Sequence, residues 1–433
     1  MGGQIVLCNR FKHKGLVNIC MKTFDRTPKA KRSNTMINIA PLMELDRLAK
    51  EDGKKYTKKR YIFSEITKTK GKHFIAIAGP RGSGKTTLLK QIALEKKDSF
   101  YVALDTIKTD DIFEVVKKLH VDLNISLFLL DEVHFHPSFD EGIKKIYDFL
   151  NVKIIFTSSV ALALFESAYD LSRRVLLKKL YPFSFREYLF FKYNKHLPPL
   201  SLSDIIEKRW DRTVFEYAAN FTDYLQGGVL PFALDETFPL PLLQNIVMTV
   251  IKKDISSIGK VTTSELEIIE NMLAFIGKSK IDGINYSSLS KNLGITKYKA
   301  RQYVNFLEKA FILHQIMPKG TNVLKEPKIL MALPYRLLYS NYEEAVGGLR
   351  EDFFAEIMHS LDINFYYLKS NRGAKTPDYL ISHKNSNIII EIGGKNKGRE
   401  QFKGIQIKKK IIFTPSIETS GFKRPLFLLG MLK

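Results

Sequence analysis

Cysteine is almost missing from this sequence: Cys8 and Cys20 are the two it has, both close to the N-terminus. A disulfide framework or a thiolate zinc site therefore has no material, and a reducing, cytoplasmic setting fits. Long apolar runs are missing too. None approaches the roughly 20 residues that a bilayer-spanning helix needs, and the longest, such as 126–130 and 160–165, have the size of core strands or short helices. No membrane role is expected. Myristoylation is excluded because Val6 stands where Ser or Thr is required after Met1-Gly2-Gly3. Repeats and low-complexity tracts are absent. Acidic residues are the other shortage, 45 against 68 lysines and arginines, a formal net charge of +23. A surplus of that size predicts attraction to a polyanion.

What is present reads as a multidomain globular chain. With 433 residues, 45% of them hydrophobic, there is material for two or three domains and their cores. Residues 1–36 are basic and irregular and read as a disordered tail. From residue 73 onward short apolar runs alternate with helical periodicity. Strands are expected at 73–78, 100–104, 126–130 and 153–156, with helices at 86–95, 112–119 and 142–150. That alternation is what a parallel sheet covered on both faces requires. Beyond residue 182 the pattern turns helical to about 260, including 185–191 and 214–224, as a lid would. Helices at 265–276, 287–293 and 297–309, with a turn at Gly294-Ile295-Thr296 and a strand at 311–317, describe a winged helix-turn-helix. A helix at 351–361, strands at 364–367, 378–381, 387–392 and 410–413, and a helix near 400–405 make a last small α/β unit. The expected divisions are 1–36, 37–181, 182–260, 261–330 and 331–433.

The chemistry concentrates first at Gly79-Pro80-Arg81-Gly82-Ser83-Gly84-Lys85-Thr86, followed by Thr87. This satisfies G-x-x-x-x-G-K-[ST] between a strand and a helix, the context that gives the motif its meaning. Glycines allow a turn whose backbone N–H groups point at phosphates, and the helix start adds its dipole. Lys85 is expected at the β- and γ-phosphates and Thr86 on Mg²⁺, so ATP and Mg²⁺ are the expected cofactors. The apolar strand at 127–130 runs into Asp131-Glu132, a Walker B arrangement in which Asp131 holds the metal and Glu132 polarises water. The following strand ends in Thr157-Ser158-Ser159, and Thr157 or Ser158 is expected to sense the γ-phosphate. His134 is expected near the nucleotide site or its coupling loop, since His134 and His136 lack a third metal ligand.

Asp131-Glu132-Val133-His134, the Thr157-Ser158-Ser159 strand end, Leu171-Ser172-Arg173-Arg174 and Tyr181-Pro182-Phe183-Ser184-Phe185-Arg186-Glu187-Tyr188-Leu189 follow one another as in a known group. Over about 38–433 the chain resembles prokaryotic AAA+-like ATPases of the archaeal/STAND-related group. The resemblance implies that Arg174, or Arg173, is a sensor or arginine finger on the γ-phosphate.

The last 90 or so residues resemble the PD-(D/E)XK nuclease fold. Glu351 on a helix, Asp378 opening a strand and Glu391 ending the next would then hold a second Mg²⁺ for phosphodiester hydrolysis. The pattern's lysine position is Gly393; Lys395 is two residues further on and Gln401 further still. An active nuclease and a degenerate binding domain both remain open. Lys297, Lys299, Arg301 and Gln302 on the 297–309 helix suit phosphates and base edges, although winged helices also serve as packing modules; Lys408-Lys409-Lys410 is a further basic run. The expected fold is a P-loop α/β sheet with helical lid, winged helix-turn-helix and nuclease-like domain. The expected function is ATP hydrolysis coupled to DNA. The alternative is a regulatory switch binding a protein partner, and a homo-oligomer is compatible with either.

Overall fold

In the computed structural model the described residues are 38–106, 111–136, 138–159, 171, 173–236, 239–256, 261–279, 283–320, 326–368, 376–383, 386–394, 402, 406–407 and 409–433. The expectations for residues 1–36 with their cysteines, for the run 160–165, and for Ser172, Lys395, Gln401 and Lys408 fall outside them. Residues 39–433 form one compact unit.

Five parallel strands build the first sheet: β1 (Phe74–Ala78), β2 (Ser99–Ala103), β3 (Leu127–Asp131), β4 (Lys153–Ser158) and β5 (Val175–Lys179), in the order β2-β3-β4-β1-β5. β1 is buried along its whole length, as continuous apolar runs covered on both faces demand. Three helices follow the first three strands: α1 (Lys85–Glu95), α2 (Ile112–Leu123) and α3 (Phe139–Phe149). β5 was not expected; its Val-Leu-Leu-Lys-Lys is partly exposed and carries little of the pattern that marks a core strand. β4 lies between β1 and β3, which puts its C-terminal end between the two motif loops.

Beyond β5 the chain is helical. α4 (Phe185–Tyr193) starts on a capping box in which Ser184 and Glu187 satisfy each other's backbone N–H groups. Instead of one helix at 214–224, short turns succeed each other to a π-helical stretch at Tyr224–Gly228. Gly227 has φ +140° there, and Gly228 lies so close to Tyr188 that a Cβ would come within 2.5 Å of its ring. α5 (Leu240–Thr249) then runs into a second π-helical stretch, Val250–Ile255. Three helices follow, α6 (Thr263–Lys278), α7 (Tyr286–Leu293) and α8 (Lys297–Lys309), with Gly294 in the left-handed conformation between the last two. An antiparallel pair succeeds them, β6 (Leu313–Ile316) with β7 (Lys328–Met331). After α9 (Tyr342–Ser360) comes a mixed five-stranded sheet ordered β12-β11-β10-β9-β8. Its strands are β8 (Phe365–Tyr367), β9 (Tyr379–His383), β10 (Ser386–Ile392), β11 (Lys409–Thr414) and β12 (Lys423–Pro425); β8, β9 and β10 pair antiparallel, and β11 and β12 add in parallel.

The expected boundaries after residue 181 do not match breaks in packing. One apolar cluster runs from Phe183 to Leu432. The 330/331 division falls inside β7, and the C-terminal Leu426–Met431 turn packs on α4, where a Cβ on Gly430 would meet Phe185 at 2.4 Å. Buried polar pairs weld the same parts. Arg336 holds Asp352 of α9 with contacts of 2.6 and 2.9 Å, and His314 of β6 meets Glu356 at 2.9 Å. Among the described residues no helix is long and apolar enough to cross a membrane.

Candidate functional site

The loop after β1 is shaped by close approach. A Cβ on Gly79 would stand 2.2 Å from the Leu180 carbonyl oxygen, while Gly82 and Gly84 take φ of +81° and +90°, open to glycine at no cost. Lys85, the first residue of α1, is buried and donates to the carbonyls of Gly79 (2.9 Å) and Pro80 (3.0 Å). Burial holds its ammonium below the ordinary lysine range, and the Glu132 and Asp131 charges pull it partly back. Arg81 leaves the loop to form a two-pronged pair with Asp254, at 2.7 and 2.8 Å. Burial would lower the Arg81 pKa, and the Asp254 carboxylate more than offsets it.

At the end of β3, Asp131 accepts from Tyr101 Oη (2.8 Å) and, on its other oxygen, from Thr157 Oγ1. Burial and then Asp131 push the Tyr101 phenol far up, so it stays a donor. Thr157 Oγ1 also accepts from the Glu132 backbone N–H at 3.0 Å. Thr157 was expected at the nucleotide, but it is fully buried and committed to fixing Asp131 and Glu132. Ser158 Oγ lies 3.3 Å from His134 Nδ1. Glu132 holds a left-handed φ of +52°, uncommon outside glycine and asparagine and a mark of functional positions. A cavity of about 560 Å³ is lined by Arg81, Gly82, Gly84, Lys85, Thr86, Thr87 and Glu132 together with Tyr56, Gln91, Phe191 and Phe232. Mg²⁺ on a nucleotide takes most of its octahedron from phosphate and water. One threonine hydroxyl and a carboxylate already held in place are a donor set that fits it.

Arg174 lies elsewhere. It precedes β5, accepts from Phe74 N–H at the start of β1, and pairs with Asp148 at 3.1 Å. The phosphate loop leaves the opposite end of β1, four residue steps of roughly 3.3 Å away. Arg174 therefore does not reach the nucleotide cavity of its own chain, and the expectation of a sensor acting there is corrected.

Sequence reasoning missed Arg60. Buried, it pairs with Glu187 through two nitrogens at 2.9 Å and donates to the Ser83 carbonyl at 2.8 Å. The Phe-Arg-Glu motif thus works partly as a structural tie: burial would raise the Glu187 pKa, and Arg60 more than offsets this. The only signal was an arginine after the lysines of 54–59.

The C-terminal carboxylates stand otherwise. Asp378 accepts from Ile392 N–H at 2.7 Å. Burial, then the charges of Glu351 and Glu391, push its carboxyl up to about 8. Glu351 is drawn to Lys328 (2.7 Å) and Tyr379 Oη (2.5 Å). Among the described residues no three His, Cys, Asp or Glu are arranged to hold a metal ion. The expected ligand set Glu351, Asp378 and Glu391 is therefore not assembled in this conformation, because Lys328, from β7, takes the place beside Glu351. Two further cavities flank this centre, one lined by Glu351, Gly393 and Arg350, the other by Lys328, Thr376 and Asp378.

On α8, Lys297, Tyr298, Lys299 and Arg301 are exposed, Tyr298 by 76%. Two of the cations are already engaged, Lys297 with Glu326 at 2.6 Å and Lys299 with Glu265 at 3.0 Å.

Comparison with known proteins agrees with the sheet. Residues 71–189 match the AAA domain family, and residues 219–332 match a domain of unknown function (DUF8612). The uncharacterized protein MJ1637 of Methanocaldococcus jannaschii is 30% identical over 390 residues, covering 81% of this chain and 82% of that one. Among solved structures, the Thermotoga maritima RuvB Holliday junction branch migration motor is 14% identical over 65% of this chain and 90% of its own, at a TM-score of 0.25. Caenorhabditis elegans PCH-2 is 19% identical over 49% and 62%, at 0.27. At such scores neither likeness adds to what the sheet order shows.

Proposed function

Because the chain belongs to the family of the uncharacterized Methanocaldococcus jannaschii protein and carries an AAA domain, we propose that it is an ATP-hydrolysing switch that acts on DNA. The observation that carries the ATPase half is the convergence of the phosphate loop, Lys85 and Glu132 on one cavity, whose lining also includes the rings of Tyr56, Phe191 and Phe232. Backbone N–H groups of 81–86 cradle the phosphates, and Lys85 exchanges its loop carbonyls for phosphate oxygens. Thr86 and Asp131 would hold Mg²⁺, which would neutralise charge developing on the phosphates. Glu132 polarises the attacking water, and Thr157 fixes the Asp131 carboxylate and the Glu132 backbone. Arg174 serves a nucleotide on a neighbouring copy, which makes a homo-oligomer part of the proposal. Lys85→Ala should abolish ATP turnover; wild-type turnover in that variant would end this reading.

The DNA half rests on the net charge of +23 and on α6–α8 with the β6–β7 pair, read as a winged helix whose α8 offers exposed cations. ATPase assays with and without DNA across a salt series test it. Stimulation that fades as salt rises is expected, because phosphate contacts release counterions.

One observation favours a second reading, a regulatory switch on a protein partner with an inactive scaffold. Gly393 stands at the lysine position of the nuclease pattern, and the three acids do not converge on a metal site. No cleavage step is derived from them. DNA stimulation without metal-dependent cleavage would keep the first reading and retire the nuclease. Absence of both would favour the second.

A further inference from the structure

Around Glu132 lies a group of buried polar side chains to which the hydrolysis scheme above gives no task. His134 has a fully buried side chain. Its Nδ1 lies 3.2 Å from Glu132 Oε2, and its Nε2 lies 3.3 Å from Ser159 Oγ and 3.8 Å from Asp254 Oδ1. Asp254, also fully buried, accepts from Ser159 Oγ at 3.3 Å and from the Arg81 guanidinium. The members come from four places: the loop after β1 (Arg81), the end of β3 (Glu132 and His134), the end of β4 (Ser159) and the π-helical stretch Val250–Ile255 (Asp254). Single π-turns inside helices recur at functional positions. Arg81 and Glu132 both face the nucleotide cavity; His134 and Asp254 stand behind them.

We infer that His134 positions Glu132 for hydrolysis and that Asp254 governs His134, so the orientation of the hydrolytic carboxylate follows the helical segment beyond β5. The physical argument has three steps. Glu132 has a backbone conformation costly for a residue with a side chain, and its buried Oε2 has no hydrogen-bond partner among the described residues; His134 Nδ1, 3.2 Å away and beside Ser158 Oγ at 3.3 Å, is placed to become one. A neutral imidazole donates from one ring nitrogen only. A proton kept on the Asp254–Ser159 side is therefore withheld from Glu132, and a proton on Nδ1 is withheld from Asp254. Which arrangement prevails depends on where Asp254 stands, and Arg81 decides that. A phosphate entering the cavity competes with Asp254 for the same guanidinium, so nucleotide occupancy and the position of Val250–Ile255 are read by one carboxylate. His134 and Asp254 are positioning residues; neither is asked to touch the reacting atoms.

The inference rests on the ATPase reading, and its test is built to separate the two. ATP turnover and ATP binding are measured on the full chain as wild type, His134→Ala, His134→Asn, Asp254→Asn and the pair His134→Asn/Asp254→Asn, with Lys85→Ala as control. His134→Ala should lower kcat roughly tenfold or more, as loss of alignment does, with ATP affinity within about twofold of wild type. Asparagine offers an N–H near the Nδ1 position and nothing at Nε2. His134→Asn should therefore restore most of kcat. Asp254→Asn should shift kcat several-fold in the wild-type background and have no effect in the His134→Asn background, a coupling that a double-mutant cycle reads directly. A merely structural role would give additive losses and no rescue by asparagine, and that result overturns the inference. So does wild-type kcat in His134→Ala when Lys85→Ala is dead. If Lys85→Ala still turns ATP over, the ATPase reading falls and the inference with it. Should His134→Ala not fold, the cycle on the asparagine variants alone decides, since Asp254→Asn is isosteric and asparagine at 134 keeps more of the side-chain volume than alanine.

Discussion

Two lysines, one buried and one half-buried, mark the two halves of this molecule, and they are held in opposite ways. Lys85 is fixed by two carbonyl oxygens, and among the described residues no carboxylate forms an ion pair with it. Its charge stays available to whatever anion enters the cavity. Lys328 is spent on Glu351 at 2.7 Å and lies over the Tyr379 ring. A site poised for a ligand leaves its cation unneutralised at a cost in stability, whereas a lysine already neutralised ties elements together. By that criterion the nucleotide site is ready, and the C-terminal carboxylates are part of the weld between β7 and α9.

The largest effect that would break this contrast concerns glycine. Gly79→Ala drives a methyl into the Leu180 carbonyl and should cost more than about 4 kcal/mol, or folding itself. Gly394, beside the C-terminal acids, has nothing within 4 Å of an added Cβ. Gly394→Ala should change stability by no more than about 0.5 kcal/mol. Denaturant unfolding of both variants measures the difference; equal effects would mean that both loops are equally constrained.

The lysines come next. Lys85→Met should cut ATP turnover on the order of a hundredfold or more, with the melting temperature held or raised, because a buried charge lacking an anion is removed. Lys328→Met leaves Glu351 without its cation and should cost about 2 kcal/mol, the low side for a part-buried pair, with ATP turnover within about twofold of wild type. Loss of turnover in Lys328→Met at unchanged stability would join the two centres functionally and undo the comparison.

This contrast also explains how much the sequence could tell. The nucleotide site is contiguous: backbone conformation does most of its work, and Gly79–Thr86 and Asp131-Glu132 carry it in order. The strand order follows, because β4 has to lie between the two motif loops. Arg60, Asp254 and Lys328 were not legible. Each acts across 20 to more than 170 positions of chain, and nothing local marks an arginine that will be buried on Glu187. Thr157 was found as a polar strand end, but its contacts with Asp131 and the Glu132 N–H were not legible, since sequence cannot say which way its hydroxyl points. The separate C-terminal domains of the sequence reading became one core because Leu426–Met431 folds back onto α4.

A smaller effect concerns Arg174. Its pair with Asp148 is part-exposed, so Arg174→Ala should cost no more than about 1 kcal/mol. ATP affinity should be unchanged, since the cavity is at the other end of β1. If the residue serves a neighbouring copy, wild-type specific activity rises with protein concentration and the variant's does not. A fall in ATP affinity at high dilution would contradict the geometry described here.

A last effect, read as a slope, tests the weld by pH. His314 and His359 stack with ring centroids 4.8 Å apart. Burial would lower the His314 pKa, but Glu356 more than offsets it and the value is raised above 6.5. Burial and then the His314 charge hold His359 down to about 3, and its Nε2 is buried without a hydrogen-bond partner among the described residues. The two signs oppose each other. The His314 contribution to stability is fully present below pH 6.5 and is lost as pH rises through its raised folded value. The His359 contribution is present above 6.5 and is lost as pH falls from there toward about 3. Unfolding in that acid window takes up a proton at His359, a slope of about 1.4 kcal/mol per pH unit. His359→Phe keeps a ring in the stack and removes the titration. Its stability between pH 6.5 and 5 should therefore flatten by about that slope, while ATP turnover at neutral pH stays as in wild type. An unchanged slope would place the acid sensitivity elsewhere, with the Arg60–Glu187 tie of the nucleotide half as the next pair to examine, because Glu187 contributes above pH 4.5 and loses that only below it.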